Sequence, residues 1–248
     1  MQNDDGGWAA FDKNNNKLFM NKIPFSDMNS LCDPSTADVT GRVLEAFALL
    51  TRGHEKRFGS LLLLERLQAA CDRGIKFLLA DQESNGSWYG RWGVNYVYGT
   101  SNVLCALEHY RFDSRLEHPQ HSAVQWLRSV QNADGGWGEH VNTYTKPERA
   151  GLGVSTPSQT AWALMGLMAA EAVGSGDEAV ERGVRWLVEQ QKSETSQSDG
   201  EQSQVLGTWH ENEYTGFPGH FYLGYDYYRH YFPVMALGRY VGGFETKN

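Results

Sequence analysis

Five aromatic residues near the C-terminal end, Phe217, Phe221, Tyr225, Tyr228 and Phe232, follow one another at intervals of 4, 4, 3 and 4. On a helix those intervals return to one face, so the stretch predicts an aromatic stripe. On spacing alone a packed core face is the readier reading. Several tyrosines on such a stripe are less usual, because each buried hydroxyl must find a partner. The chemistry such a wall suits is one that passes through carbocations. An aromatic face attracts a cation by roughly 0.5–2 kcal/mol and, unlike a carboxylate, does not readily capture it. It also excludes the water that would quench the cation early. A second pair, Asp38 and Arg42 in DPSTADVTGR, stands four residues apart on a predicted helix. As a surface ion pair it would contribute about 0.3–0.5 kcal/mol. Within a site the permanently charged Arg42 could hold a neighbouring carboxylate in place but could not pass a proton to it.

The elements that must position these residues repeat along the chain. A Gln precedes a Trp by six positions at Gln2–Trp8, Gln82–Trp88 and Gln131–Trp137, with a Gly-containing turn between. RGIKFLLADQESNGSW and SAVQWLRSVQNADGGW align throughout. A third full copy begins RGVRWLVEQQ at Arg182 and reaches its Trp209 only after about twelve extra polar residues, read as a loop insertion. Ile75, Phe77, Leu78 and Val124, Trp126, Leu127 fall on helical stripes, so each unit is a helix, a terminal Gln, a turn and a Trp.

Between these units Thr156-Pro157-Ser158-Gln159 reads as a capping box opening the helix TAWALMGLMAA. Thr100 or Ser101 is expected to cap NVLCALEHY, and Ser35 or Thr36 to cap ADVTGRVLEAFALL. A final helix is expected from about His220 to Tyr240. No convincing strand run emerges, although GVNYVYG could be extended. Roughly seven helices in pairs repeating at 49 to 80 residues predict an all-α fold, an α/α barrel of stacked helical hairpins. Seven do not close such a barrel, and the first Gln–Trp turn has no helix before it. The chain is therefore expected to be one domain, 1–248, forming the C-terminal piece of something longer.

Composition narrows the class. The 248 residues are 40% hydrophobic and include 8 Trp, 12 Tyr and 11 Phe, a globular and unusually aromatic chain. A net charge of −8 without a basic cluster argues against nucleic acid. The three cysteines lack paired spacing, which suits a reducing compartment and supplies neither a disulfide framework nor a zinc motif. The start is polar and acidic rather than signal-like. The longest apolar run, AWALMGLMAA, is about half of what a bilayer span needs.

The sixteen-position pattern ending in Gln–Trp resembles the QW motif of triterpene cyclases. IPFSDMNSLCDPSTADVTGRVLE, GSWYGRWGVNYVYGT, STPSQTAWALM and GFPGHFYLGYDYYRHYFPVMALGRY are similar to squalene–hopene cyclases of the bacterial type, over nearly the whole chain. The resemblance implies a metal-free, cofactor-free polycyclisation of squalene to hopene, with an alcohol formed where water captures the cation. It implies substrate-facing roles for Phe217, Phe221, Leu223, Tyr225 and Tyr228, for Trp92 and Tyr98, and for Phe25. It adds Phe11, at a position where relatives carry Tyr, so a hydroxyl is missing there. Asp38 and Arg42 would support the catalytic acid, with Arg42 standing where the pattern often has His. The QW tryptophans Trp88, Trp137 and Trp209 would be scaffold. In the family the acid is the middle Asp of a D-x-D-D motif, which this sequence does not contain; the motif is expected upstream. The partners implied are a squalene-like isoprenoid, a membrane surface approached from its cytoplasmic side without spanning, and the remainder of the same enzyme, with a homodimer a further option.

Other classes share parts of the pattern. The β subunit of protein prenyltransferases has the same architecture but needs an Asp, Cys and His zinc site, for which no Cys here has suitable neighbours. His118 and His121 read as a solvated loop. Thioester domains of complement-like proteins carry G-C-G-E-Q, absent here. A non-catalytic isoprenoid-binding module stays compatible with the pocket aromatics.

Overall fold

The computed structural model of the protein describes residues 1–24, 31–51, 61–170, 176–196, 204–211, 215–217 and 221–245. Among them are seven α-helices: α1 (Ala37–Thr51), α2 (Leu61–Asp81), α3 (Tyr96–Leu107), α4 (Glu117–Ser129), α5 (Pro157–Ala170), α6 (Glu178–Gln190) and α7 (Tyr228–Glu245). Two small antiparallel hairpins join them, β1 (Lys192–Ser196) with β2 (Gln204–Thr208) and β3 (Thr215–Phe217) with β4 (Phe221–Leu223).

The helices form two layers. α1, α3, α5 and α7 pack side by side in that order, with α2 against α1, α4 against α3 and α5, and α6 against α5. Sequence accounts for the division. α3 and α5 bury nearly every residue and are apolar on all sides, as inner helices must be. α6 buries only Ala179, Val180, Gly183, Trp186 and Leu187, one stripe of an otherwise polar helix. The ends of the inner row meet through an ion pair, Glu45 on α1 with Arg239 on α7 at 3.7 Å.

The Gln2, Gln82 and Gln131 amides make equivalent pairs of bonds. The Gln131 amide donates to the Gly135 carbonyl at 2.8 Å and to the Ala179 carbonyl in the first turn of α6 at 2.9 Å. Gln82 does so with Gly86 and Pro119, and Gln2 with Gly6 and Ala70. The indoles of Trp88, Trp137 and Trp209 donate to the carbonyls of Leu78, Leu127 and Leu187. All three rings are fully buried. Gly135 has φ 96°, and a Cβ there would lie 2.9 Å from the Arg182 carbonyl oxygen, so glycine is required.

The helical architecture matches the expectation, and several local readings are corrected. The insertion before Trp209 pairs as the β1–β2 hairpin, residues 197–203 lying outside the described ones. GVNYVYG is not extended: α3 begins at Tyr96, so Thr100 and Ser101 lie inside it rather than capping it. The cap is the Glu139 carboxylate, which accepts from the backbone N–H groups of Asn95 and Val97. Only half of the box at Thr156 forms: its hydroxyl accepts from the Gln159 N–H at 3.3 Å, but its own N–H donates to the Trp137 carbonyl, and the Gln159 side chain accepts from the Glu139 N–H instead. The last helix starts at Tyr228, eight residues later than expected, because Gly216, Pro218, Gly219 and Gly224 disfavour helix and Phe217 pairs in register with Phe221 across a hairpin. The five aromatics therefore do not share one helical face.

Candidate functional site

Asp38 occupies the first turn of α1 and is buried, which overturns the surface ion pair as its reading. Its Oδ1 accepts from the Val39 N–H at 2.9 Å and from the Thr36 hydroxyl. Its Oδ2 accepts from the Trp92 N–H at 2.8 Å, tying α1 to the loop before α3. Burial pushes its carboxyl above the ordinary aspartate value, against the pull of these donors. Arg42 does not pair with Asp38. One turn on, its guanidinium lies 3.2 Å from Glu45 Oε2, and Glu45 also meets Arg239.

Asp38, Arg42, Trp92 and Tyr98 come together on the wall of an open cleft of about 390 Å³, shared with Val39, Val43, Ala46 and Phe47. Apart from the Asp38 and Arg42 head groups the lining is aromatic and aliphatic. Trp92 is set by its backbone bond to Asp38, by Phe11 edge-on at 5.6 Å, and by the Arg91 guanidinium 5.5 Å from its ring centre. Phe11 is half-exposed, and its backbone N–H is held by Asp33. Tyr98 lies in the first turn of α3, its hydroxyl pushed upward in pKa by burial and by the charge of Asp38, with Arg42 opposing.

A second cavity, of about 120 Å³, adjoins through aromatic contact. Trp162 on α5 meets Tyr98 edge-on at 4.8 Å, and Trp162, Tyr225 and Tyr228 line this cavity with Gln159 and Glu211. Tyr225 stacks on Tyr228 at 4.8 Å and 20°. Tyr228 in turn stands edge-on to Trp162, Tyr231 and Phe232. The Arg42 charge reaches Tyr228 and Tyr231 as well as Tyr98. Residues from α1, the loop before α3, α3, α5 and α7 thus surround two adjoining cavities, with the buried Asp38 carboxyl on the wall of the first and Glu211 on the wall of the second.

The sequence-predicted site residues divide accordingly. The structure gathers Asp38, Arg42, Trp92, Tyr98 and Phe11 around the cleft, and Tyr225 and Tyr228 around the adjoining cavity. Leu223 lies half-exposed at the end of β4. Phe217 and Phe221 lie in β3 and β4, on a hairpin before the helix rather than within it. Phe25 lies outside the described residues. Trp162, Phe47 and Glu45 were missed by reading the sequence. The one available signal was Trp162 itself, a large aromatic in a helix apolar on every side.

A model of the family described as the squalene–hopene cyclase C-terminal domain matches residues 1–242. A squalene hopane cyclase of Aspergillus fumigatus, afumA, is 49% identical over 238 residues, covering 87% of this chain and 31% of that one. The squalene–hopene cyclases of Zymomonas mobilis and Alicyclobacillus acidocaldarius are each 43% identical, over 97% and 100% of this chain and 33% and 35% of theirs. The chain thus spans about a third of the length of these relatives. Among solved structures, ent-copalyl diphosphate synthase from Streptomyces platensis superimposes with a TM-score of 0.59 at 18% identity, over 84% of this chain and 34% of that one, a likeness of fold. With a family match along nearly its whole length and relatives at this identity, the chain belongs to the squalene–hopene cyclase family, to its C-terminal domain.

Proposed function

We propose that this chain forms the cation-stabilising wall of a triterpene cyclase that folds and cyclises squalene to hopene, with hopanol where water intervenes. The observation that carries this is the aromatic region around the cleft. Trp92 and Tyr98 present rings to the cleft, and Tyr225 and Tyr228 line the adjoining cavity with Ser158, Gln159 and Glu211, with Phe11 behind Trp92. A carbocation beside such rings gains roughly 0.5–2 kcal/mol from each face.

Asp38 takes the role of a support. It is buried and saturated with donors, so it orients Trp92 and is not itself the acid that protonates an alkene. Arg42 offers a fixed positive charge at the cleft, suited to holding the carboxylate of an acid supplied from outside these 248 residues, which contain no D-x-D-D. Phe217, Phe221, Leu223 and Phe25 complete the pocket in this reading. The exposed run Leu18, Phe19, Met20 and Ile23, flanked by Lys17 and Lys22, supplies a one-sided membrane contact with no span.

The test joins this chain to the preceding two-thirds of the Aspergillus relative and assays squalene conversion. The joined protein is expected to cyclise squalene and the 248 residues alone to form no hopene. Tyr225→Ala or Tyr228→Ala in the joined protein is expected to release partly cyclised products. An unchanged product spectrum in both variants returns these tyrosines to core packing. A joined protein that binds but never converts squalene would instead support isoprenoid binding without turnover.

A further inference from the structure

Trp162 was not among the site residues read from the sequence, yet it stands where the cleft and the smaller cavity meet, and it lines the latter. It is 3% exposed, so the surface it gives that cavity is slight. Its indole makes edge contacts with three rings on two neighbouring helices: Tyr98 of α3 at 4.8 Å, Tyr228 of α7 at 6.0 Å and Phe232 of α7 at 5.3 Å. α5, which carries it, is the helix packed between α3 and α7. The indole Nε1–H has no hydrogen-bond partner among the described residues, so hydrogen bonding is not what the residue contributes. What it contributes is a broad, flat edge that two tyrosines from different helices share.

We propose that Trp162 is a positioning residue that fixes the orientation of two rings at once, Tyr98 on the cleft and Tyr228 on the adjoining cavity, so that each keeps its face toward a cation. The proposal rests on the cation-wall reading above. The attraction between a cation and a ring depends on the cation lying over the face, and it fades as the ring turns edge-on. Each tyrosine has two side-chain torsions to fix, and each is only half-buried. Tyr98 is packed against the indole, and Tyr228 is packed between the indole and Tyr225. Removing the shared edge frees both rings at once.

The purified chain itself supports the test, with two probes of one shape. N,N-Dimethyldodecylamine, protonated at pH 7, carries a cationic head on an apolar tail, and 2-methyltetradecane places carbon where it has nitrogen. The ratio of their affinities reports cation recognition, and the neutral probe alone reports the pocket. Trp162→Leu and Trp162→Phe leave the net charge unchanged, so attraction of the amine to the acidic surface cancels between chains. The wild type is expected to prefer the ammonium by about tenfold, the Phe variant to lose part of that preference and the Leu variant nearly all of it, with neutral binding kept within about twofold. Should the Leu variant not fold, the Phe variant decides. A preference equal to wild type in the folded variants, or a parallel fall for both probes, overturns the positioning role. A wild type with no preference for the ammonium refutes the cation wall itself, and the positioning role with it.

Discussion

At the scale of single residues, Asp38 carries the clearest physical consequence. A carboxyl with its pKa raised by burial favours the folded state below the ordinary aspartate value of 3.8, and that contribution is lost as pH rises through the raised value. An amide in its place would keep one acceptor oxygen and turn a donor toward Trp92 or Thr36, losing about 1–3 kcal/mol. Asp38→Asn is therefore expected to destabilise the chain most at acid pH, with the gap from wild type narrowing toward neutrality. Urea melts from pH 4 to 8 measure it. A gap that widened with pH would mean that the three donors, not burial, govern this carboxyl. Glu139 is also raised by burial and titrates in both chains, so it cancels in the difference. That Asp38 and Arg42 share a helix was readable from their spacing. That Asp38 turns inward to the Trp92 N–H was not, because the two lie 54 residues apart, whereas the Arg42–Glu45 pair is an i, i+3 neighbour on the same helix.

At the scale of elements, the Gln–Trp turn is the unit that repeats, and part of it was legible. Gln, glycine and Trp keep fixed intervals because they close one tight turn. Their further partners do not keep them. The backbone N–H of Trp8, Trp88 and Trp137 each donates at 2.9 Å to a threonine of the next inner helix, Thr40, Thr100 and Thr160, at separations of 32, 12 and 23 residues. The loops between vary in length, so no periodicity search finds these threonines. Glu139 and Glu211, each two residues after a Trp, likewise cap the inner helix of the unit before, α3 and α5. Gln131→Ala removes the bonds to Gly135 and Ala179 and is expected to cost about 2 kcal/mol. A drop in the urea midpoint would report it, and a loss under about 0.5 kcal/mol, the noise of surface substitutions, would show that water replaces the amide.

At the scale of the whole molecule, the inner row α1, α3, α5 and α7 surrounds the two adjoining cavities and leaves apolar side chains bare elsewhere. Phe19 is 67% exposed and Leu18 54%, within the lysine-flanked run assigned to membrane contact. Among the described residues no helix is long and apolar enough to cross a membrane. Phe19→Glu is expected to weaken co-sedimentation with anionic phospholipid vesicles by about tenfold, through loss of the inserted ring and repulsion of the new charge. Equal sedimentation of both chains would assign the run to another partner.

Local order was determined by the sequence alone wherever the cause is local. Helical stripes follow from side-chain periodicity, the turns from glycine at fixed places, and the family from motifs that span the chain. The start of α7 shows the limit: the aromatic spacing suited a helix, but glycine and proline in the same stretch favoured a hairpin, and their backbone preferences prevailed. The site was decided only by the tertiary structure. Tyr98, Trp162 and Tyr228 lie 64 and 66 residues apart in sequence and meet because α3, α5 and α7 pack side by side. Contacts of that range arise from the burial of whole helix faces, which no spacing within one segment records.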